Sequence, residues 1–227
     1  MISNKILQRT FCIAHNESTG TGFTIDVESR QYLVTARHVI DGLTPESSLG
    51  VMRNGAWQSV DVGDVWHSPS GADLALLSLK NQLSPSHEVL VVGDSASYFL
   101  SQQIYFLGFP YGLHTEAAQI NDGYPVPFVK TGIVASFSSL SGGSQLFYCD
   151  GHNNPGFSGG PIVTVSPRQQ VTVIGVISGY RFNEEPVLLN GVDTGLNYRS
   201  NTGLVIGYGS KELLMQARAA KSGAPVG

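Results

Sequence analysis

One serine of this chain lies in a segment that is unusually rich in glycine. Ser158 belongs to GHNNPGFSGGPIV, residues 151–163, with Gly156 two residues before it and Gly159 directly after it. A serine that attacks a carbonyl needs an exposed hydroxyl on a tight turn, and backbone N–H groups that converge on the oxygen that becomes negative. Glycines allow such a turn. The segment therefore predicts a nucleophilic serine, and the alternative is a glycine-rich hairpin with an incidental serine.

A base and an acid for such a serine precede it in the chain. His38 follows the apolar stretch of YLVTARHVIDG, residues 32–42, where the end of a strand could hold an imidazole rigidly. Asp73 begins DLALLSL, and a carboxylate beside such apolar residues is costly to bury without a partner. An imidazole N–H is a suitable partner. Taken alone, His38 could instead be a surface or core histidine, and Asp73 a carboxylate that caps the start of a strand.

The elements that must position these side chains are short strands. Glycine accounts for 27 of 227 residues and charged residues for only 13%, which excludes a coiled coil and favours strands joined by tight turns. The hydrophobic content of 41% excludes a disordered chain. β-branched and aromatic runs predict ten strands, at residues 21–27, 31–35, 56–65, 74–79, 103–107, 129–138, 145–149, 162–165, 171–178 and 202–208. We therefore expect an all-β protein.

Two helical segments and two long loops complete the predicted organisation. Residues 36–40 can form one helical turn. Residues 211–221 place Leu213, Leu214 and Ala217 on one helix face after Ser210, a candidate N-cap. Residues 111–127 and 181–198 show no clear period and are predicted to be long surface loops, where function usually lies on an all-β scaffold.

Together, the segments around His38, Asp73 and Ser158 resemble the trypsin-like serine peptidases of the chymotrypsin fold, particularly the bacterial branch that includes the HtrA-type proteases. The resemblance rests on the chain order His, Asp, Ser and on TA-x-H-V at 35–39, DLALL at 73–77 and GFSGGP at 156–161. It extends through GFPYG at 108–112, TGIVAS at 131–136, GVISGY at 175–180 and TGLVIGY at 202–208. The similarity thus spans nearly the whole chain.

The resemblance implies two six-stranded antiparallel β-barrels, with the active site in the cleft between them and a C-terminal helix. Within one peptidase unit of residues 1–227, the N-terminal barrel would span roughly 1–100, the C-terminal barrel roughly 101–208 and the helix 210–221. His38 and Asp73 would belong to the first barrel and Ser158 to the second. The implied activity is that of a serine endopeptidase that needs no metal and no organic cofactor.

The resemblance also implies a role for each residue of the site. Ser158 would attack the scissile carbonyl, and His38 would take its proton and later give it to the leaving amine. Asp73 would fix the imidazole tautomer and stabilise its cationic form. The backbone N–H groups of Gly156 and Ser158 would form the oxyanion hole.

Four residues match family positions that bind the substrate. Ser178, Gly179 and Tyr180 match the segment that pairs with the substrate backbone as an edge strand, and Tyr180 could narrow the pocket entrance. His152 matches the pocket floor, where an aspartate would select Lys or Arg, so simple trypsin-like specificity is not expected. A neutral His152 would suit a polar or medium-sized side chain, and a charged His152 would accept an acidic one.

Phe157 departs from the family pattern. Digestive and clotting members carry an aspartate directly before the serine, which pairs with a newly cut N-terminus. Phenylalanine cannot form that ion pair, so activation by N-terminal cleavage is not expected. Phe157 and Tyr180 also support an alternative function, a catalytically idle or partner-gated protease-fold binding module in a stress or defence system.

Charge and cysteine content narrow the partners and the compartment. The net charge is −4 and no cluster of five or more Lys and Arg residues occurs, so we expect no nucleic acid as a partner. The expected partner is a protein or peptide substrate, with an activating protein in the gated alternative. No apolar run reaches the length of a membrane span and no signal-type segment follows Met1, which predicts a cytoplasmic protein if Met1 is the natural start. Cys12 and Cys149 are expected to be buried thiols.

Overall fold

The computed structural model describes residues 2–45, 47–85, 91–93, 98–115, 121–140 and 143–226. Two helices, α1 (Asn4–Leu7) and α2 (Lys211–Ala220), lie near the ends of the chain, and 3₁₀ turns span Arg37–Ile40 and Pro110–Gly112. The strands in these residues are β1 (Thr10–His15), β2 (Ser18–Val27), β3 (Arg30–Thr35), β4 (Ser48–Arg53), β5 (Ala56–His67), β6 (Ala75–Leu79), β7 (Val91–Val92), β8 (Gln103–Gly108), β9 (Phe128–Ser139), β10 (Gln145–Asp150), β11 (Pro161–Val165), β12 (Val171–Leu189), β13 (Val192–Gly209) and β14 (Ala224–Pro225).

The first barrel is a closed ring of six antiparallel strands. Its hydrogen-bonded order is β3-β2-β1-β4-β5-β6, and the pairing of β3 with β6 closes the ring. The C-terminal strand β14 pairs with the first two residues of β3, ahead of the part of β3 that pairs with β6. Apolar side chains fill the interior because alternate residues of each strand point inward, among them Phe11, Ile13, Leu33, Leu49 and Leu77.

The second barrel repeats this architecture. Its order is β11-β8-β9-β10-β13-β12, closed by the pairing of β11 with β12, and the short β7 adds to β12 in parallel. Ile104, Phe106, Phe147, Ile162 and Ile177 fill it. The expectation of two six-stranded barrels with a C-terminal helix is confirmed.

A third apolar cluster joins the two barrels and the C-terminal helix. It unites Phe23 and Val34 of the first barrel with Val163 and Val173 of the second and with Leu213 of α2. These side chains are fully or almost fully buried, so an apolar interface joins the two barrels to each other and to the helix. No helix among the described residues is long and apolar enough to cross a membrane.

A polar contact ties α2 to the loop that precedes Asp73. The Glu212 carboxylate of α2 accepts hydrogen bonds from Ser68 Oγ (2.7 Å), from Ser70 Oγ (3.1 Å) and from Ser144 Oγ. Ser68 and Ser144 are almost fully buried, so the carboxylate is paired where water has little access. The helix thereby fixes the segment from which Asp73 projects.

Most predicted elements occur where they were expected. All ten predicted strands lie in or overlap observed strands, the helical turn appears at Arg37–Ile40, and the C-terminal helix spans Lys211–Ala220. Two strands of the first barrel, β1 and β4, were not predicted. In the loop predicted at 111–127, the described part holds the Pro110–Gly112 turn and one isolated bridge, and residues 116–120 lie outside the described residues.

The prediction of a loop at residues 181–198 is wrong. These residues extend β12 and β13 into a two-stranded hairpin that leaves the barrel, and we call residues 181–200 the ribbon. Asn190 and Gly191 form its two-residue turn with positive φ values of 50° and 81°. Asn-Gly favours a turn of this kind because both residues tolerate positive φ, and this signal was overlooked in the sequence.

Candidate active site

Strand pairing brings His38 and Asp73 together. His38 lies in the 3₁₀ turn that follows β3, and Asp73 lies two residues before β6. Because β3 and β6 pair at Thr35 and Ala75, the end of one strand meets the start of the other. His38 Nδ1 lies 2.6 Å from Asp73 Oδ2, and the His38 backbone N–H donates to Asp73 Oδ1 at 3.0 Å. The carboxylate therefore fixes both the backbone and the ring of the histidine.

The contact shifts the pKa values of both residues. The hydrogen bond to Asp73 raises the pKa of His38 above its ordinary value, although burial acts in the opposite direction. Burial alone would raise the pKa of Asp73, but hydrogen bonds from His38 and Ser178 outweigh it and the pKa lies below its ordinary value. The pair thus favours an ionised carboxylate beside an imidazole of increased basicity.

Ser178 contributes a third hydrogen bond to Asp73. Its Oγ donates to Asp73 Oδ2 at 2.6 Å, across the boundary between the two barrels. The sequence motif predicted only a backbone role for Ser178 in substrate pairing. The side-chain contact was missed because it joins residues 105 positions apart, a separation at which no local pattern carries a signal.

Glycines shape the turn that carries Ser158. Gly156 and Gly159 have φ values of +101° and +85°, which L side chains rarely adopt. A Cβ at Gly156 would also collide with the Phe109 carbonyl, and one at Gly159 with the Thr21 carbonyl. The GFSGG pattern therefore reflects both the backbone conformation and the close approach of neighbouring chain segments.

Hydrogen bonds tie this turn to both barrels. The Thr21 backbone N–H donates to the Ser158 carbonyl at 2.8 Å, and Thr21 Oγ1 donates to the Gly156 carbonyl at 2.7 Å. On the other side, the Gly159 N–H donates to the Ile177 carbonyl at 2.7 Å. Ser158 is consequently held at the boundary where β2 of the first barrel meets β12 of the second.

The hydroxyl of Ser158 points to Ser178. Its Oγ donates to the Ser178 carbonyl at 2.9 Å, and among the described residues it has no hydrogen bond to His38. The structure thus brings His38 and Asp73 into direct contact and connects Ser158 to them through Ser178. The hydroxyl must give up its hydrogen bond to the Ser178 carbonyl before it can donate to an imidazole.

Two backbone donors beside Ser158 have no protein partner in the described part of the chain: the N–H groups of Gly156 and Ser158 itself. The preceding carbonyl, that of Pro155, accepts a hydrogen bond from the Tyr111 N–H at 2.8 Å. Because a trans peptide places its C=O and N–H on opposite sides, the Gly156 N–H points away from Tyr111. Free donors of this kind can bind an oxygen that gains negative charge.

A cleft of about 540 Å³ opens beside Ser158. The predicted substrate-binding residues His152, Gly179 and Tyr180 line it, and His152 is exposed. Residues that the sequence did not indicate complete its wall, namely Tyr111, Asn153, Asn154, Pro155, Phe182, Arg199 and Asn201. Phe182 and Arg199 belong to the ribbon. The sequence prediction of a loop in this region did not indicate that either residue lines the cleft.

Asn153 organises the buried side of this cleft. It is only 1% exposed, and its Nδ2 donates to the Gly179 carbonyl at 2.9 Å. The backbone carbonyl of Asn153 accepts a hydrogen bond of 2.6 Å from Asn201 Nδ2. Asn153 therefore connects the segment before Ser158 with both strands of the hairpin.

Phe157 anchors the serine turn in the second barrel. Its side chain is fully buried and contacts Phe106 edge-on, with ring centroids 5.3 Å apart. Lys130 lies over the same ring at 5.3 Å and donates to the His152 carbonyl at 2.7 Å and to Asn154 Oδ1. Burial lowers the pKa of Lys130. An aromatic side chain packed against Phe106 and Lys130 therefore stands directly before Ser158.

Both cysteines are buried in strands, Cys12 in β1 and Cys149 in β10. Cys12 and Cys149 are free and buried, which confirms the expectation of buried thiols, and burial raises the pKa of each to about 12. Within the described ranges, no group of three His, Cys, Asp or Glu side chains could hold a metal ion.

A family model identifies the class of protein. The model of the trypsin-like peptidase domain matches residues 20–176, more than half of the chain, and this range contains His38, Asp73 and Ser158. The chain therefore belongs to the trypsin-like peptidase family. A search of curated proteins finds no match.

Solved bacterial proteases share the fold. The inactive form of the Rv3671c protease of M. tuberculosis is 19% identical, with a TM-score of 0.59 over 97% of this chain and 92% of that chain. The HtrA-type protease AlgW, solved with a tripeptide, is 17% identical, with a TM-score of 0.59 over 96% of this chain and 61% of AlgW. The active form of Rv3671c gives a TM-score of 0.60, so the overall fold does not distinguish active from inactive forms.

Proposed function

We propose that this protein is a serine endopeptidase that hydrolyses peptide bonds of protein substrates through His38, Asp73 and Ser158. The observation that carries the proposal is the His38–Asp73 contact of 2.6 Å, together with the hydrogen bonds by which Ser178 links Asp73 to Ser158. Asp73 holds the Nδ1 side of the ring, so the Nε2 side is available as a base. Family membership supports this assignment of roles.

The first half of the reaction forms an acyl-enzyme. His38 Nε2 takes the proton of Ser158 Oγ as the oxygen attacks the scissile carbonyl carbon. The carbonyl oxygen becomes an oxyanion, which the N–H groups of Gly156 and Ser158 bind. The C–N bond then breaks, His38 gives its proton to the leaving amine, and Ser158 Oγ remains bound as an ester. Asp73 stabilises the imidazolium that exists between these two proton transfers.

The second half regenerates the serine. A water molecule gives a proton to His38 and attacks the ester carbonyl, and the same N–H groups bind the oxyanion. Collapse of this intermediate releases the carboxylic acid product and returns the proton from His38 to Ser158 Oγ. Every step uses side chains and backbone groups of this chain and water, without a cofactor.

Substrate binding would also free the nucleophile. In the unbound protein the Ser178 carbonyl accepts the hydrogen bond of Ser158 Oγ. An extended peptide that pairs with Ser178, Gly179 and Tyr180 offers its own N–H groups to this segment. Competition for the Ser178 carbonyl would release the Ser158 hydroxyl, which is then free to donate to His38.

The hydrogen bond from Ser158 Oγ to the Ser178 carbonyl also favours a second candidate function, a protease-fold module that is idle until a partner binds. A serine whose hydroxyl is engaged with Ser178 rather than with His38 is not yet arranged to lose its proton. Turnover of a peptide library by the free protein, with and without cell lysate, separates the two candidates. A large increase on addition of lysate favours gating, and equal rates count against it.

The experiment for the leading proposal compares the wild-type protein with two serine variants. Ser158→Ala is expected to lower kcat on a fluorescent protein substrate by on the order of 10⁶-fold, because attack on the carbonyl needs its oxygen. Ser136→Ala, at an exposed position of β9, is the matched control and should retain wild-type activity. Full activity of the Ser158→Ala variant would overturn the proposal.

A further inference from the structure

The ribbon places a guanidinium group in the wall of the cleft. Arg199 lies on β13 opposite Glu184 of β12, and its side chain lies over the Phe182 ring at 4.5 Å from the ring centre. Arg199 and Phe182 line the same cleft as Ser158. The ribbon is thus more than an exposed hairpin, because the face at its base forms part of the candidate active site.

The guanidinium is oriented but has free donors. Its Nε donates to Glu184 Oε1 at 3.1 Å, and its two terminal nitrogens have no hydrogen bond among the described residues. The central carbon of the group lies 4.5 Å from the centre of the Phe182 ring, a cation–π contact. The two parallel N–H donors of the planar guanidinium match the two oxygens of a carboxylate, a geometry that an ammonium group cannot offer.

The remaining wall of the cleft carries no opposing charge. Its other residues are aromatic, amide, glycine, proline, serine and histidine, and none is Asp or Glu. Lys130 adds positive charge behind the wall, where it contacts the His152 carbonyl and Asn154 Oδ1. Glu184 accepts the hydrogen bond from Arg199 Nε and does not itself line the cleft. Among the described residues that line the cleft, Arg199 is therefore the one that carries a permanent charge.

We propose that the cleft selects substrates with an acidic side chain close to the scissile bond, whose carboxylate pairs with the terminal nitrogens of Arg199. This inference rests on the proposed endopeptidase function and names its substrate class. Phe182 and Glu184 act as positioning residues, because they hold the guanidinium before the substrate arrives. A charged His152 is not needed for this preference.

The test uses peptides that differ at one position. Each position before the scissile bond carries Glu, Gln or Lys in turn, and kcat/KM is measured for each peptide. At one of these positions the wild-type protein should prefer Glu over Gln by about tenfold or more, since a charge-assisted pair replaces a neutral one. The preference should decrease as salt is added, because the pair is partly exposed to solvent. Equal rates for Glu and Gln at every position would overturn the inference.

Variants assign the preference to Arg199. Arg199→Gln should reduce the Glu-to-Gln ratio to about one, Arg199→Lys should keep only part of it, and Arg199→Glu should favour Lys. Arg181→Gln is the matched control, because Arg181 lies exposed at the start of the ribbon and does not line the cleft. An unchanged ratio in Arg199→Gln would overturn the assignment.

A binding measurement separates this inference from the proposed function. The Ser158→Ala protein cannot turn over peptides, so its Kd for the Glu and Gln peptides reports recognition alone. If the wild-type protein cleaves no peptide but Ser158→Ala binds the Glu peptide about tenfold more tightly than the Gln peptide, the inference holds and the endopeptidase proposal fails. If cleavage occurs and both peptides bind equally, the endopeptidase proposal holds and the inference fails.

Discussion

Strands β12 and β13 form two different structures along their length. In the barrel, Ile174, Val176 and Val205 are at most 1% exposed. In the ribbon, Leu188 and Leu196 are 58% and 65% exposed, although the same strands continue to pair. Strand pairing therefore does not end where burial ends, and the candidate active site lies at the transition between the two regions.

The transition is marked by irregular pairing. The register of β12 with β13 shifts between Ile177 and Gly179 and again between Tyr180 and Phe182. Such irregularities turn side chains and carbonyls away from the regular ladder. Here they accompany the Ser178 contacts with Asp73 and Ser158. The proposed substrate-binding segment, residues 178–180, is therefore held by the barrel on one side and continues into the exposed ribbon on the other.

The two regions also differ in what stabilises them. The barrel parts of β12 and β13 pack into an apolar core, whereas polar side-chain pairs connect the two strands of the ribbon. Glu185 accepts hydrogen bonds from Tyr198 Oη and Ser200 Oγ, both at 2.7 Å, and Glu184 pairs with Arg199. Exposed pairs of this kind contribute little stability. The ribbon therefore depends on backbone pairing and on its Asn-Gly turn.

The largest expected effect on activity is that of a substitution at Asp73, which the first barrel contributes to the site. Asp73→Asn keeps the shape of the side chain but removes the charge that stabilises the His38 imidazolium, and its amide can favour the wrong tautomer. We expect kcat to fall by on the order of 10⁴-fold. Peptide hydrolysis measures the loss, and an unchanged melting temperature verifies the fold. A decrease smaller than about tenfold would show that the His38–Asp73 contact has no catalytic role.

A pair of substitutions on β12 tests the difference between barrel and ribbon directly. Ile174→Ala should lower the free energy of unfolding by about 2–5 kcal/mol, because it leaves a cavity in the core. Leu188→Ala removes a side chain of the same size from the ribbon and should change this free energy by less than about 0.5 kcal/mol. Urea unfolding measures both. Similar losses for the two variants would mean that the ribbon is packed in solution.

A smaller effect is expected in the pH dependence of activity. The hydrogen bond to Asp73 raises the pKa of His38, and only the neutral imidazole can take the proton of Ser158. Activity is therefore lost as pH falls through the raised pKa and is present above it. The acidic limb of kcat/KM should have its midpoint above about 6.5, the ordinary histidine value. A midpoint below that value would contradict the observed contact.

Much of this architecture could be predicted because its signals are local. The serine turn needs glycine at positive φ, and the GFSGG pattern shows this directly. Alternating β-branched and aromatic residues revealed most barrel strands. Strand β1, with the sequence TFCIAH, was missed because its apolar run is short and follows a polar start. The ribbon was missed because its exposed strands show no consistent apolar alternation, although Asn190 and Gly191 form a recognisable turn.

The remaining features depend on contacts between distant residues. The Ser178 contact with Asp73 and the position of Arg199 in the cleft arise only when the two barrels and the hairpin are assembled. Arg9 is another example, since it is fully buried in a bidentate pair with Asp26, although arginine side chains are mostly exposed in proteins. No periodicity in a single sequence encodes such pairings.

The most direct test of the central claim is covalent labelling of Ser158. A fluorophosphonate reacts with a serine hydroxyl that a neighbouring base activates and an oxyanion site assists, so it reports the assembled site rather than the fold. We predict a single adduct, mapped to Ser158 by mass spectrometry and absent from the Ser158→Ala and denatured proteins. A native protein that stays unlabelled with substrate peptide and lysate present, or that is labelled at another residue, would contradict the account.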